Sequence, residues 1–275
     1  MSEFVCDCAG FGVKKTVLSA GEWGERPLPL LAQCQISVSH IKCSEKLEQP
    51  SAFLTQVVAG GNHQAANTVH LSTGDAECDV DHALERALCS MLVGERSFIS
   101  LESADITLQC HIHLIQLTNP APLPDWPSSL ALEVSTRYKQ RGVELFQQGR
   151  TVDAFRHFSK AVTILVTTET EESNLYAVLC SNMAACQLQK GNHEHAASLC
   201  DKALHKQPSN PKALYRRAVA ALHLCDHERA ERDVRAVLSL EPKNPQAAKL
   251  LAQIKSETRE ANADYEKMVR RMFSK

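Results

Sequence analysis

The sequence is poor in aromatic residues, which make up 5% of its 275 positions, and it has no run of eighteen apolar residues. Without such a run, no segment is expected to span a bilayer. The first residues also lack a basic stretch followed by an apolar one, so we expect no secretory signal. With 44% hydrophobic and 23% charged residues, the composition excludes a wholly disordered chain and favours a globular protein with two modest domains.

The eleven cysteines are scattered and odd in number, none forms a CxxC pair, and the sequence has no N-x-S/T sequon. A disulfide-bonded secreted framework usually shows an even number of cysteines at paired spacings. We therefore expect a cytoplasmic protein, with the nucleus as a second compartment. In a reducing compartment the cysteines should be free thiols that mostly fill the core.

Charge is divided unevenly along the chain. Residues 1–130 contain 7 Lys and Arg against 15 Asp and Glu, whereas residues 131–275 contain 23 against 17, so the local balances are −8 and +6. A nucleic-acid-binding surface is usually more strongly basic and carries aromatic residues among its cations. We therefore expect two units with different partners, and neither nucleic acid nor a membrane among them.

A proline-rich segment at residues 119–130 contains four prolines and predicts a linker, because proline fixes φ and removes a backbone donor. Before this segment, apolar residues alternate in Cys34–Ile41 and in Ile106–Leu117, which predicts half-buried strands. His82–Leu92 instead shows helical spacing. Residues 1–118 are therefore predicted to form an antiparallel β-sheet with one short helix.

Beyond this segment the apolar spacing becomes helical, and a second period of 34 residues appears. QPSNPKA at 207–213 and EPKNPQA at 241–247 share two prolines, an asparagine and an alanine at this offset. Small residues at helix crossings and proline at the turn, repeated every 34 residues, are typical of tetratricopeptide repeats. Three repeats are predicted, at 135–168, 177–210 and 211–244. An insertion of eight residues, near 169–176, is predicted to lengthen the first junction between repeats.

A repeat array needs a cover for its last apolar face, because no helix pair buries that face alone. Residues 245–275 show apolar residues at helical spacing and are predicted to be the capping helix. The predicted fold class is thus a multidomain α+β protein. An antiparallel sheet with one helix precedes an all-α superhelix of three repeats over 131–244.

The first helices of the three repeats are expected to line a curved groove. Lys212 and Arg216 are four residues apart and leave the same helical face. Lys139 and Asn182 occupy the equivalent helices of the first and second repeats. Two lysines, an arginine and an asparagine amide suit carboxylates, because guanidinium binds them bidentately and lysine supplies a point charge. These four residues are the predicted peptide-carboxylate site.

The segments Tyr138–Ala161, Ser181–Cys186 (SNMAAC) and Lys212–Ala218 (KALYRRA) resemble the tetratricopeptide domain of the FKBP-type immunophilin co-chaperones. In that family a carboxylate clamp holds the acidic C-terminal Glu-Glu-Val-Asp tail of heat-shock protein 90. The resemblance implies that the four groove residues named above are clamp residues. It also implies that the partner is this tail or the corresponding tail of heat-shock protein 70. A fifth clamp position, usually asparagine, is Val143 here, which removes one amide donor to a carboxylate.

The N-terminal half resembles the immunophilin isomerase domain in outline, through Val13–Pro27 and His82–Ile99. Isomerase activity in that family requires a dry aromatic bowl that grips proline. Here Leu84 aligns with the floor tryptophan and His40 with the strand tyrosine, and the flap before the last strand shrinks to Glu102–Asp105. Without walls and a flap, little excludes water or favours the twisted amide. The resemblance therefore implies a degenerate FKBP-like domain without isomerase activity.

The prediction is thus a co-chaperone or adaptor, and two alternatives stay open. One is an active prolyl isomerase with a rebuilt bowl, and the other is a scaffold for a different acidic peptide. No catalytic residue, metal or cofactor is expected. His111 and His113 share a strand face without a matching cysteine or carboxylate, and the acidic run at 75–81 favours a solvated loop over a calcium site. No glycine-rich phosphate loop is present.

Overall fold

The computed structural model describes residues 3–44, 51, 53–54, 62–63, 67–170 and 172–273. The chain divides into two compact units, Met1–Pro122 and Leu123–Lys275. The first is an antiparallel sheet with one helix, and the second is helical. This confirms the fold class predicted from the sequence.

Seven strands form one antiparallel sheet in the described part of the first unit. They are β1 (Glu3–Cys8), β2 (Phe11–Ser19), β3 (Gln33–Cys43), β4 (Asn62–His63), β5 (Asn67–Ser72), β6 (Arg96–Glu102) and β7 (Thr107–Thr118). Their order across the sheet is β1-β2-β6-β7-β3-β4, and β5 also pairs with β3. The two longest strands, β3 and β7, therefore pair with each other inside the sheet.

One face of this sheet carries the core of the first unit. In β3 and β7 the buried side chains alternate with more accessible ones, as the period of a strand requires. Helix α1 (Asp79–Leu88) adds its apolar side to the same core, where each buried aliphatic side chain contributes roughly 1.5–3 kcal/mol. The core side chains from these elements include Ile36, Val38, Leu84, Leu88, Ile112 and Leu114.

Helix α1 begins three residues before, and ends four residues before, the helix predicted over His82–Leu92. Cys78 caps its N-terminus, because the sulfur accepts a hydrogen bond from the Asp81 amide at 3.4 Å. Asp79 and Asp81 lie in the first turn, where the helix dipole favours negative charge. Part of the acidic run expected to be a solvated loop is therefore the start of the helix.

A buried ion pair fixes the turn that follows α1. Lys15 on β2 donates to Oε1 of Glu95 at 2.8 Å, and the Ser97 hydroxyl and the Leu92 amide donate to the same carboxylate at 2.7 and 3.0 Å. Burial would raise the pKa of Glu95, but these hydrogen bonds outweigh it and hold the pKa below its usual value. The ionised carboxylate thus ties β2 to the turn.

The second unit contains a 3-10 turn and seven α-helices among its described residues. They are the turn Leu123–Asp125, α2 (Ser128–Gln147), α3 (Thr151–Thr167), α4 (Ser173–Gln189), α5 (His193–Lys206), α6 (Pro211–His223), α7 (His227–Leu240) and α8 (Pro245–Phe273). Helices α2 to α7 form three antiparallel pairs, which correspond to the three repeats. Helix α8 covers the last pair with Ala247, Leu250 and Ile254, all of them buried.

Helix α2 begins at Ser128, inside the segment 119–130 that the sequence predicts to be a linker. Pro127 is its N-cap residue with φ −63°, and proline is tolerated at a helix start because the amides there have no partner within the helix. Trp126 is only 6% exposed. The C-terminal part of the proline-rich segment therefore belongs to the helical unit, which corrects the predicted linker at that end.

The eight inserted residues near 169–176 mostly extend helices rather than a loop. Helices α3 and α4 have 17 residues each, whereas their counterparts α5 and α6 have 14 and 13. Helix α3 ends at Thr167 and α4 begins at Ser173, so this separation is one residue longer than the separation of α5 and α6. The predicted insertion is therefore largely helical.

Gly142 on α2 sets how closely α2 and α3 approach. A Cβ atom at this position would lie 2.6 Å from Cε1 of Phe158, a ring that is itself fully buried. Gly142→Ala is expected to destabilise the protein by about 1–2 kcal/mol, because the clash outweighs the helix propensity gained. Urea unfolding measures the change. Gly24→Ala is the control, since a Cβ there meets nothing within 4 Å. A Gly142→Ala variant as stable as the unaltered chain would contradict this packing.

Four charged side chains join α5, α6 and α7. Arg217 donates to both carboxylate oxygens of Asp233 at 2.7 Å, and also to Asp201 at 2.8 Å. Arg229 donates to Asp201 at 2.6 Å. Asp233 is 3% exposed, so its charge depends on Arg217 for compensation. The network fixes the second and third repeats against each other.

Candidate peptide-binding groove

A cavity of about 490 Å³ lies between α2, α4 and α6, the first helices of the three repeats. Lys139 of α2, Asn182 of α4, and Lys212 and Arg216 of α6 all line it. The structure therefore brings together all four residues predicted to hold a carboxylate. Their role in binding stays a prediction.

The local sequence of α6 positions its two cations. Asn210 caps the helix, because its side-chain oxygen accepts a hydrogen bond from the Ala213 amide at 3.0 Å. Pro211 follows at the first helical position, where its fixed φ favours the helix. Lys212 and Arg216 then project from the same face, one turn apart. The asparagine and proline of the repeat motif thus set the register of the groove cations.

Arg216 is held inside the cavity wall by neutral partners. Its Nη1 donates to Ser181 Oγ at 2.6 Å and lies 3.5 Å from Asn182 Oδ1. Burial lowers the pKa of Arg216, as expected for a cation removed from water. No carboxylate lies within ion-pair distance of this guanidinium in the part of the chain that the structure describes. A bound anion would supply the missing countercharge.

The two lysines of the cavity also lack a carboxylate partner. Among the described residues, neither Lys139 nor Lys212 has an ion-pair partner, whereas arginines elsewhere in this unit are paired. Three cations that share one cavity without internal carboxylates repel each other. The cavity is therefore positively charged and suited to a ligand with at least two negative groups.

Apolar side chains also line the cavity. Val143 and Phe146 line it from α2, and Val178 and Ala185 line it from α4. Val143 occupies the position where the resemblance to the immunophilin co-chaperones implies an asparagine amide, and its side chain donates no hydrogen bond. The groove thus combines cations with apolar contact.

Ser181 contacts Arg216 and was not predicted from the sequence. It lies next to Asn182 in the quoted segment SNMAAC, but a single serine inside a helix has no spacing that indicates a role. Only the packing of α4 against α6 shows that its hydroxyl meets the guanidinium. A contact across repeats is not visible in a pattern within one repeat.

The two positions aligned with the isomerase pocket do not form a bowl in the first unit. Leu84 is 0% exposed and belongs to the core cluster that also contains Phe53 and Leu54. His40 lies at a β-bulge, where the pairing of β3 with β7 shifts, and has φ +50°. The bulge leaves His40 exposed and Ile41 buried, so the imidazole does not enter the core.

The segment that corresponds to the flap, between β6 and β7, is short. Strand β6 ends at Glu102 and β7 begins at Thr107. The tight turn between them is closed by a hydrogen bond from the Ser103 amide to the Ile106 carbonyl at 2.9 Å. This turn is too short to fold over a ligand.

His40 and His111 contact each other on the sheet face away from the core. The His40 and His111 ring centroids are 4.7 Å apart, and Phe98 meets His111 edge-on. Burial and the neighbouring His40 lower the pKa of His111, and burial and Arg96 lower that of His113. Within the described residues, no group of three or more His, Cys, Asp or Glu side chains is arranged to hold a metal ion. The same part of the chain contains no helix both long and apolar enough to cross a membrane.

Comparison with known families assigns each unit. Residues 8–119 match the family described as "BDBT FKBP like N-terminal". Residues 187–254 match the family described as "Tetratricopeptide repeat". The two matches fall on the β-sheet unit and on the helical unit respectively.

Two curated relatives extend across most of the chain. The "FK506-binding protein-like" protein of Mus musculus is 34% identical over 195 residues, which cover 70% of this chain and 55% of the relative. The "Peptidyl-prolyl cis-trans isomerase FKBP4" of Homo sapiens is 29% identical over 219 residues, which cover 72% of this chain and 48% of the relative. The chain thus spans about half the length of the curated relatives it matches.

One solved structure shares the fold over a large part of the chain. It is the crystal structure of residues 1–211 of CG17282, with a TM-score of 0.56 and 21% sequence identity. The match covers 70% of this chain and 96% of that one. At this identity the likeness concerns the fold alone.

Proposed function

We propose that this chain, which belongs to the FKBP-like proteins with tetratricopeptide repeats, is a co-chaperone or adaptor for heat-shock protein 90. Its groove binds the acidic C-terminal tail of that chaperone, and the tail of heat-shock protein 70 is the second candidate partner. One observation carries the proposal. Lys139, Lys212 and Arg216 line a single cavity with Asn182, and in the described part of the chain no carboxylate pairs with any of the three cations.

The chemistry of the tail matches these groups. A peptide that ends in aspartate presents its main-chain carboxylate beside a side-chain carboxylate, so two negative groups enter the cavity together. Arg216 can donate two parallel hydrogen bonds to one carboxylate, while Lys139 and Lys212 supply point charges. The Asn182 amide adds a neutral donor. Binding releases the repulsion between the groove cations, which favours a doubly charged end over a single carboxylate.

Val143 limits the affinity, because a clamp with one amide fewer leaves part of a carboxylate unpaired. We expect dissociation constants in the micromolar range, with binding that weakens as salt rises. Val143→Asn should restore the donor and tighten binding about 5-fold or more. Calorimetric titration with a Glu-Glu-Val-Asp peptide measures the dissociation constants of the unaltered chain and of the variant. Weaker binding by Val143→Asn, with an unchanged melting temperature, would place the carboxylate away from this residue.

The N-terminal domain is proposed to lack isomerase activity and to serve contacts with clients or other partners. A relative is named a peptidyl-prolyl cis-trans isomerase, so an active domain is the alternative function. The buried Leu84, the outward His40 and the short β6–β7 turn support inactivity, because these three features form no dry aromatic pocket around a proline within the described residues.

We therefore expect the full chain to show no proline-isomerase activity above buffer with standard proline-containing peptides, and no binding of macrolide immunophilin inhibitors. A coupled turnover assay and a ligand-induced thermal shift measure these two properties. An intact FKBP-type isomerase measured in parallel is the positive control. Turnover near the rate of that control would establish the alternative function.

The third possibility is a scaffold that binds a different acidic peptide. Calorimetric titration of the full chain with the Glu-Glu-Val-Asp peptide, and with a scrambled peptide of equal charge, separates it from the co-chaperone function. The proposal expects saturable binding of the first peptide only. Equal binding of both peptides would favour the scaffold.

The proposed setting is the cytoplasm, with the nucleus as a second compartment. The scattered cysteines support it, because they suit a reducing compartment.

A further inference from the structure

Ser181 of α4 has an unusual environment for a small polar residue. It is 2% exposed, and its Oγ accepts a hydrogen bond of 2.6 Å from Nη1 of Arg216 on α6. The hydroxyl and the guanidinium come from different repeats. A buried hydroxyl at this distance restricts the direction in which the guanidinium can point.

The neighbouring residue Arg217 shows the alternative arrangement. It donates to both oxygens of Asp233 and to Asp201, so its positive charge is compensated inside the protein. Arg216 instead meets an uncharged oxygen at 2.6 Å and an amide oxygen, that of Asn182, at 3.5 Å. Adjacent arginines of one helix are thus held in different ways. Carboxylates hold Arg217 and compensate its charge, whereas a hydroxyl holds Arg216 without compensating its charge.

We propose that Ser181 is the positioning residue of the groove, which aims Arg216 into the cavity without neutralising it. This inference rests on the proposed carboxylate-binding function. A guanidinium has five N–H donors, so one hydrogen bond to Ser181 leaves others for a ligand. Because the anchor is neutral, the positive charge of Arg216 remains for the ligand to compensate. Ser181 thereby selects ligands that bring a carboxylate.

The substitution Ser181→Asp tests the role of charge. It keeps an acceptor beside Arg216 but supplies the countercharge from within the protein. The groove should then lose its attraction for a carboxylate, and affinity for the Glu-Glu-Val-Asp peptide should fall by roughly 30-fold or more. Because the new carboxylate pairs with Arg216, the melting temperature should fall little. Ser181→Ala removes the anchor without adding charge and should weaken binding by about 10-fold.

Ser135→Ala is the matched control. Ser135 is a buried serine on α2 whose hydroxyl donates to the Ala161 carbonyl at 3.3 Å, and it does not line the cavity. Binding by this variant should stay within twofold of the unaltered chain. A double-mutant cycle adds a readout that general destabilisation would not change. In an Arg216→Ala background, Ser181→Ala should cause no further loss of affinity.

All binding is measured by calorimetry on the full chain with the same peptide. The unaltered chain must bind, and its failure to do so would overturn the proposed function and this inference together. If it binds and Ser181→Asp binds equally well, this inference alone is overturned. Should Ser181→Asp fail to fold, the double-mutant cycle of Ser181→Ala and Arg216→Ala tests the positioning role instead. Additive losses from Ser181→Ala and Arg216→Ala contradict the positioning role, and a vanishing second loss supports it.

Discussion

Arg216→Ala is expected to weaken binding of a Glu-Glu-Val-Asp peptide by about 30-fold, close to 2 kcal/mol, or more. The guanidinium is largely withdrawn from water and has no internal carboxylate partner among the described residues, so in the proposed complex the ligand supplies its countercharge. Its removal leaves a ligand carboxylate unpaired in the cavity. Calorimetric titration at fixed ionic strength measures the loss.

Arg235→Ala provides the control for overall charge. Arg235 is 64% exposed on α7 and pairs with Glu231 one turn away, outside the cavity. Its removal subtracts the same unit of charge but should change the dissociation constant less than twofold. If both variants lose affinity equally, the protein attracts the peptide through its net field rather than through a clamp.

Asp233→Ala is expected to lower the free energy of unfolding by about 3–5 kcal/mol. Asp233 accepts two hydrogen bonds of 2.7 Å from Arg217, and its own side chain is almost completely buried, while that of Arg217 is 20% exposed. Without this carboxylate, Arg217 keeps only Asp201, which is nearly half exposed and shared with Arg229. A partly uncompensated guanidinium then remains between the second and third repeats.

Urea unfolding followed by Trp126 fluorescence measures this loss. Trp126 lies in the helical unit and is buried, whereas Trp23 of the first unit is fully exposed and should change little. Glu231→Ala removes a carboxylate of the same helix from an exposed pair and should change stability by less than about 1 kcal/mol. A loss as small as this in Asp233→Ala would show that the buried network contributes little.

The architecture was predictable because its signals are periodic. The offset of 34 residues and the helical spacing of apolar side chains determine three helix pairs and a capping helix, since each pattern repeats many times in the sequence. Alternation in β3 and β7 similarly indicated the sheet. The convergence of Lys139, Asn182, Lys212 and Arg216 on one cavity also follows from the repeats, because the first helices of the three repeats line the same cavity.

Element ends were harder to predict, because single residues decide them. Cys78 caps α1 with its sulfur, and the helix begins three residues before the predicted start. Pro127 is the N-cap residue of α2 inside a segment whose prolines predicted a linker. The insertion near 169–176 was predicted to lengthen the junction between repeats, but most of it lies in the longer helices α3 and α4.

Contacts between helices could not be predicted from the sequence. Ser181 with Arg216, and Arg217 with Asp233, join residues 35 and 16 positions apart on different helices. A spacing within one helix says which face a residue occupies, but not which side chain of another helix it meets. These contacts distinguish Arg216 from Arg217, although the two are neighbours in sequence.

The most direct test of the carboxylate clamp compares two peptides that both end in Glu-Glu-Val-Asp, one with a free C-terminus and one amidated. Amidation removes one negative charge and leaves every side chain in place. Titrated into the full chain under the same conditions, the amidated peptide should bind at least 10-fold more weakly, because the groove cations lose one of their two carboxylates. Equal affinity for the two peptides would contradict a clamp that holds the terminal carboxylate.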